Sequence, residues 1–165
     1  MVMEDVVKSL GYLALGTRLK RLGERLQAQT QVVLEQAELD LPAGHFPVLA
    51  ALDRLGGLNV GELTETLGVS QPGVTRMLDK LQTEGLVRSA QSEDDRRVRT
   101  IELTRSGRQL VSRAKRTVWP KIEAAVAEAC ADSAETLLPA LAALEEALAV
   151  KPLSARTGEG KHAST

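Results

Sequence analysis

A glycine placed between two short runs of apolar periodicity constrains this chain more than any other feature. Gly68 separates the run Val60–Leu67 from the run Gln71–Glu84, and Ser70 follows it by two positions. A glycine there can close the first run in the left-handed conformation without a Cβ penalty, and Ser70 stands where a side chain caps the next helix. Asn59 followed three residues later by Glu62 has the layout of a capping box, which starts the first helix at Val60. In the second run Val74, Met77, Leu78 and Leu81 recur at helical spacing, leaving Gln71, Thr75, Arg76 and Lys80 on the other face before Gly85 stops it. Two short helices joined by a tight glycine-containing turn, the second polar and basic outside, are the parts of a helix-turn-helix.

Beyond Gly85 the apolar period drops to roughly two, so Leu86–Ser89 and Arg99–Leu103 read as hairpin strands. The intervening segment 90–98 holds Glu93, Asp94, Asp95, Arg96 and Arg97, is too polar for a core, and should project as a loop. The remainder reads as helix. With one Trp, one Tyr and one Phe, the core must be built from leucine, valine and alanine, a composition that favours helices. One long helix is predicted from Asp5 to Ala37, striped with Leu15, Leu19, Leu22, Leu26 and Val33, and a second from Ala43 to Leu55, burying Phe46, Leu49 and Leu52. Thr104 caps a further predicted helix toward Ala131, kinked at Pro120. A last one follows a cap layout at Asp132 and Glu135 and carries Leu137, Leu138, Leu141, Leu144 and Leu148. Residues 151–165, rich in Gly, Ser, Thr and Lys, are predicted to be a disordered tail.

The expected fold class is therefore mainly α: a winged helix-turn-helix with a two-stranded wing and long N- and C-terminal dimerisation helices. Residues 39–118 form the expected DNA-binding domain. Residues 1–38 and 119–150 form the dimerisation helices, because one winged lobe could not cover their leucine stripes and a second copy would.

The formal net charge of −1 conceals a strong asymmetry. From Arg76 to Lys121 there are twelve arginines and lysines against six acidic residues, the local basic excess of a nucleic-acid binder. No apolar run approaches the roughly 18–20 residues that span a bilayer and no leader is evident, which predicts a cytoplasmic protein. Cys130, the sole cysteine, excludes an intramolecular disulfide and a cysteine cage, and in its alanine-rich helix is expected as an inert buried thiol. His45 has no second histidine or cysteine at ligand spacing, so no metal is implied. There is no nucleophile–base pair, phosphate-binding glycine loop or paired carboxylate, so neither an enzyme nor a cofactor is expected.

The run from Leu63 to Leu81, then Glu84-Gly85-Leu86-Val87, resembles the MarR (multiple antibiotic resistance regulator) family of transcription factors. Asp94-Asp95-Arg96-Arg97 followed by Ile101-Glu102-Leu103-Thr104-Arg105-Ser106-Gly107 is similar to the same family's wing signature, and the resemblance covers roughly residues 5–148. It implies a homodimer with interdigitated terminal helices, winged lobes on adjacent major grooves and wings in flanking minor grooves. The two-fold symmetry predicts a pseudopalindromic operator. Gln71, Thr75 and Arg76 would face base edges or phosphates while Pro72 and Gly73 hold the helix close, and Ser70 and Lys80 would meet phosphate. By the resemblance, Arg97 enters the minor groove, Asp95 orients it and Arg96 meets backbone. A ligand-responsive repressor is the implied function, with Tyr12, His45 and Phe46, along with Trp119, the few residues available to an aromatic-lined effector pocket. A winged helix that binds protein instead of DNA is the alternative reading.

Overall fold

The computed structural model describes residues 4–91 and 99–158 of the chain, which are mostly helical with one two-stranded antiparallel sheet. They divide into two compact units, Met1–Ile122 and Glu123–Thr165.

The first unit opens with α1 (Val6–Ser9), a 3-10 turn over Gly11–Ala14, and α2 (Leu15–Gln36). The single helix expected from Asp5 to Ala37 is therefore interrupted. Gly11 has φ +56°, a left-handed conformation that cannot continue a right-handed helix. The Arg21 guanidinium then clamps the Asp5 carboxylate through two hydrogen bonds of 3.0 and 2.9 Å. In an unbroken helix these residues would stand about 24 Å apart, so the ion pair exists only because α1 folds back on α2.

A second 3-10 turn, Ala43–His45, leads into α3 (Phe46–Leu55), whose Pro47 sits in the first turn, where its missing N–H has no intrahelical partner to lose. Next comes α4 (Val60–Leu67) with both halves of its capping box formed: Glu62 N donates to Asn59 Oδ1 at 3.0 Å, and Asn59 N donates to Glu62 Oε2 at 2.7 Å. Gly68 closes it at φ +61°.

The following helix, α5 (Gln71–Thr83), begins after Ser70, but the Ser70 hydroxyl makes no capping hydrogen bond. The expected cap does not form: the amide two positions on belongs to Pro72, which has no N–H, and the remaining amide, Gly73 N, makes no bond to the Ser70 hydroxyl.

Strands β1 (Val87–Gln91) and β2 (Arg99–Leu103) pair antiparallel in the register Val87↔Leu103 to Gln91↔Arg99. Leu58 exchanges backbone hydrogen bonds of 3.1 and 2.8 Å with Ile101, joining the segment before α4 to the sheet. The wing residues Asp95, Arg96 and Arg97 lie outside the described residues.

Thr104 caps α6 (Arg105–Thr117) by accepting from Gly107 N at 3.1 Å, and its hydroxyl donates to Gly85 O at 2.6 Å, which ties α6 to the end of α5. The predicted kink at Pro120 is a full break. Helix α6 ends at Thr117 with Val118 as its C-cap, and the second residue of α7 (Trp119–Cys130) is Pro120, which cannot donate to the Arg116 carbonyl. The core of this unit joins Leu34, Leu39 and Leu41 to Val48 and Leu49 of α3, Leu63 of α4, Val74 and Leu81 of α5, and Val111 of α6.

In the second unit a 3-10 turn over Ala131–Ser133 precedes α8 (Ala134–Val150). The cap expected from Asp132 and Glu135 does not form. Ser133 occupies the capping position in helical geometry, and its hydroxyl donates backward to Cys130 O at 2.6 Å. Cys130 is half-buried rather than sequestered. The disorder expected from residue 151 onward does not begin there. Leu153–Arg156 form a short helix, α9, because the Arg156 side chain donates to the carbonyls of Ala147 and Lys151 at 2.6 and 2.9 Å. Among the described residues no helix is long and apolar enough to cross a membrane.

Candidate nucleic-acid interface

The amphipathic pattern of α5 determines which of its residues can meet a ligand. Val74, Leu78 and Leu81 are buried against the core, and Gln71, Pro72, Thr75, Arg76 and Lys80 are exposed, with Ser70 exposed just ahead of them. The start of a helix also carries the positive end of its dipole and amides free to meet phosphate.

Each polar group on this face is prepared differently. The Thr75 hydroxyl donates to Gln71 O at 3.0 Å, so its proton is used within the helix. Ser70, freed of a capping role, keeps its hydroxyl available. Lys80 pairs with Glu84 at 2.6 Å, and that hydrogen bond holds its ammonium pKa above the usual lysine value. As an exposed pair it contributes little to stability and can be exchanged for a phosphate partner. A Cβ on Gly73 would stand 2.8 Å from Val69 Cγ1 and 3.3 Å from Ser70 Oγ, so glycine at this position allows the turn to lie flat on the first turn of α5. On the wing, Arg88 of β1 crosses to Glu102 of β2 at 3.1 Å.

The three residues expected at an effector pocket are not gathered into one. Tyr12 is 94% exposed. Phe46 is 7% exposed and belongs to the core, where its ring meets Trp119 edge to face with centroids 6.3 Å apart. His45 is half-buried, and its Nδ1 has no hydrogen-bond partner. Burial pushes the His45 imidazole pKa below its ordinary value, and the Lys80 ammonium pushes it in the same direction.

A cleft of about 280 Å³ opens instead beside the 43–48 segment, lined by Gln27 and Thr30 of α2, by Ala43, Gly44, Pro47 and Val48, and by Leu67, Val69 and Met77 of the helix-turn-helix. Periodicity in the sequence did not reveal it, because its lining comes from distant segments and shares no stripe. Among the described residues, no group of three or more histidines, cysteines or acids could hold a metal ion.

The family model for the MarR family matches residues 39–98. The chain is 33% identical over 100 residues to the transcriptional activatory protein BadR of Rhodopseudomonas palustris, covering 56% of this chain and 53% of BadR. It is 34% identical over 89 residues to the transcriptional repressor MdtR of Bacillus subtilis, covering 54% of this chain and 56% of MdtR. The matched stretch thus spans about half the length of these relatives. The similarity to the transcriptional repressor CouR, solved on a 23-mer DNA duplex, extends further: 32% identity and a TM-score of 0.71 over 88% of this chain and 99% of CouR. CouR has also been solved with p-coumaroyl-CoA. With the helix-turn-helix and first wing strand inside the matched family segment, and nearly the whole of CouR covered, the chain belongs to the MarR family of transcriptional regulators.

Proposed function

We propose that this protein is a sequence-specific DNA-binding repressor that acts as a homodimer on a pseudopalindromic operator and is released by a small effector. The observation that carries this reading is the exposure of Gln71, Thr75 and Arg76 within the first two turns of α5, toward the positive end of the helix. It is supported by the DNA duplex on which CouR was solved. Arg76 suits guanine and Gln71 adenine, each bidentate contact contributing about 1–3 kcal/mol of discrimination. Thr75, its hydroxyl proton spent on Gln71, offers its methyl to thymine. Ser70 and Lys80 meet phosphates, while Pro72 and Gly73 let the backbone approach. Arg97 enters the minor groove, with Asp95 orienting it and Arg96 on the backbone. Residues 39–118 read DNA, and 1–38 with 119–150 pair two copies. The effector is supported by the p-coumaroyl-CoA found on CouR.

The test is a footprint on the DNA flanking the protein's own gene, with Arg76→Ala and Arg97→Ala compared across salt. Arg76→Ala should weaken binding by about 1–3 kcal/mol and relax one base position, and Arg97→Ala should remove the flanking A·T preference. Affinity should fall steeply between low and physiological salt. A flat salt response would mean a protein-binding winged helix, and unchanged footprints would overturn the residue assignments.

A further inference from the structure

Helix α6 carries Arg105, Arg108, Arg113, Lys115 and Arg116 and no acidic residue. Two of these cations serve contacts that hold the helix in place: Lys115 pairs with Asp53 of α3, and Arg113 donates to Ala37 O at 2.8 Å with the Glu38 carboxylate 3.9 Å away. Arg105, Arg108 and Arg116 have no carboxylate at ion-pair distance among the described residues. Arg108 donates instead to Leu103 O at 2.7 Å and Arg116 to Ser112 Oγ at 2.8 Å, neutral acceptors that steady each guanidinium and leave its charge uncompensated. Helix stability does not call for this arrangement. Arg105 and Arg108 stand in the first turn of α6, at the positive end of its dipole, where a cation is disfavoured.

Gly107, Val111 and Ala114 bury one side of α6, and along the other side runs an open groove of about 450 Å³ lined by Arg105, Arg108, Gln109, Ser112 and Arg116. Every lining side chain can donate a hydrogen bond to an anionic oxygen, and none is acidic or apolar. A protein partner would need an apolar centre depleted in charge, whereas nucleic-acid interfaces are polar and strongly positive. From Arg105 to Arg116 the helix rises about 17 Å, a length over which one DNA strand presents about five phosphates, so the row suits a repeating anion.

We infer that the outer face of α6 is a second, sequence-independent contact for a nucleic-acid backbone, outside the base pairs that α5 would read. Thr104 holds the start of α6 against Gly85, beyond the far end of α5, so the row begins about 20 Å from the turn that carries Gln71. The guanidiniums of Arg105, Arg108 and Arg116 meet phosphate oxygens, and Gln109 donates to phosphate or sugar beside them. This extends the proposed DNA reading, but the groove's own affinity for DNA stands on α6 alone.

The test measures binding of the full chain to a duplex of random sequence by fluorescence anisotropy across salt. The triple variant Arg105→Ala, Arg108→Ala, Arg116→Ala should bind at least tenfold more weakly at low salt and lower the salt slope by about 2–3, with the base preference of the operator footprint unchanged. The double variant Arg113→Ala, Lys115→Ala, on the same helix but outside the groove, should lose less than twofold. Gln109→Glu, a single change at an exposed position, should weaken random-duplex binding at least fivefold with an unchanged circular dichroism spectrum. An unchanged slope in the triple variant, no effect of Gln109→Glu, or equal loss in the double variant would overturn the inference. So would polyglutamate displacing the duplex as effectively as unlabelled DNA does, which would point to an acidic protein, or a triple variant that sediments as a monomer where the parent is a dimer, which would assign the groove to a second copy. Groove binding without an operator footprint would count against the reading of α5 alone, and an operator footprint with an unchanged triple-variant slope against this inference alone.

Discussion

Gly107 shows how one absent side chain can set a junction. It is buried at the start of α6, and a Cβ there would overlap the carbonyl oxygen of Leu86, a backbone atom that cannot rotate aside. Thr104 is hydrogen-bonded to the same stretch: its hydroxyl donates to Gly85 O, and its backbone N donates to Leu86 O at 3.0 Å. Gly107→Ala is therefore expected to destabilise the protein by about 3 kcal/mol, because overpacking against rigid backbone costs at the upper end of its usual range. Urea unfolding measures this, and a change under about 0.5 kcal/mol, the scale of a neutral surface substitution, would show that the junction can relax. In the sequence Gly107 was legible only as part of a family motif, since the carbonyl it must avoid belongs to a residue 21 positions away.

At the level of elements, the two helix starts of the helix-turn-helix differ in a way that separates stability from binding. Asn59 satisfies a real acceptor role at α4, so Asn59→Ala should cost about 1 kcal/mol in urea unfolding. Ser70 caps nothing, so Ser70→Ala should change stability by under about 0.5 kcal/mol while weakening DNA binding similarly for all sequences. A Ser70→Ala chain as destabilised as Asn59→Ala would mean that the hydroxyl caps after all. The capping box was readable because both partners lie within four residues of each other. The break at Gly11 was not, since Gly16 and Gly23 of the same segment stay inside α2. What distinguishes Gly11 is the Asp5–Arg21 clamp, a contact across sixteen positions that no local pattern encodes.

For the whole molecule, apolar surface is left uncovered in each unit taken by itself. In the first, Leu19, Leu22 and Leu26 of α2 remain exposed along with Leu13; in the second, Leu138 is 71% exposed and Leu137 and Leu148 are also open. In the proposed homodimer a second copy would cover these stripes, and the double variant Leu22→Glu with Leu138→Glu should then sediment as a monomer. Operator affinity should then fall roughly 100-fold or more, because two lobes on one site gain from being linked. A parent chain already monomeric at micromolar concentration would overturn the dimer reading.

The sequence by itself determined the two helices and tight turn, the left-handed Gly68, the exposed face of α5 and the change to strand periodicity. All of these depend on interactions within a few residues, whose spacing is written in the chain. Tertiary structure alone decided that α1 folds back, that Phe46 pairs with Trp119 in the core instead of lining a pocket, and that a cleft without charge opens between α2 and the helix-turn-helix. Each of these brings together groups from distant parts of the chain, where burial and exclusion of water act on three-dimensional neighbours and leave no periodic trace in one dimension.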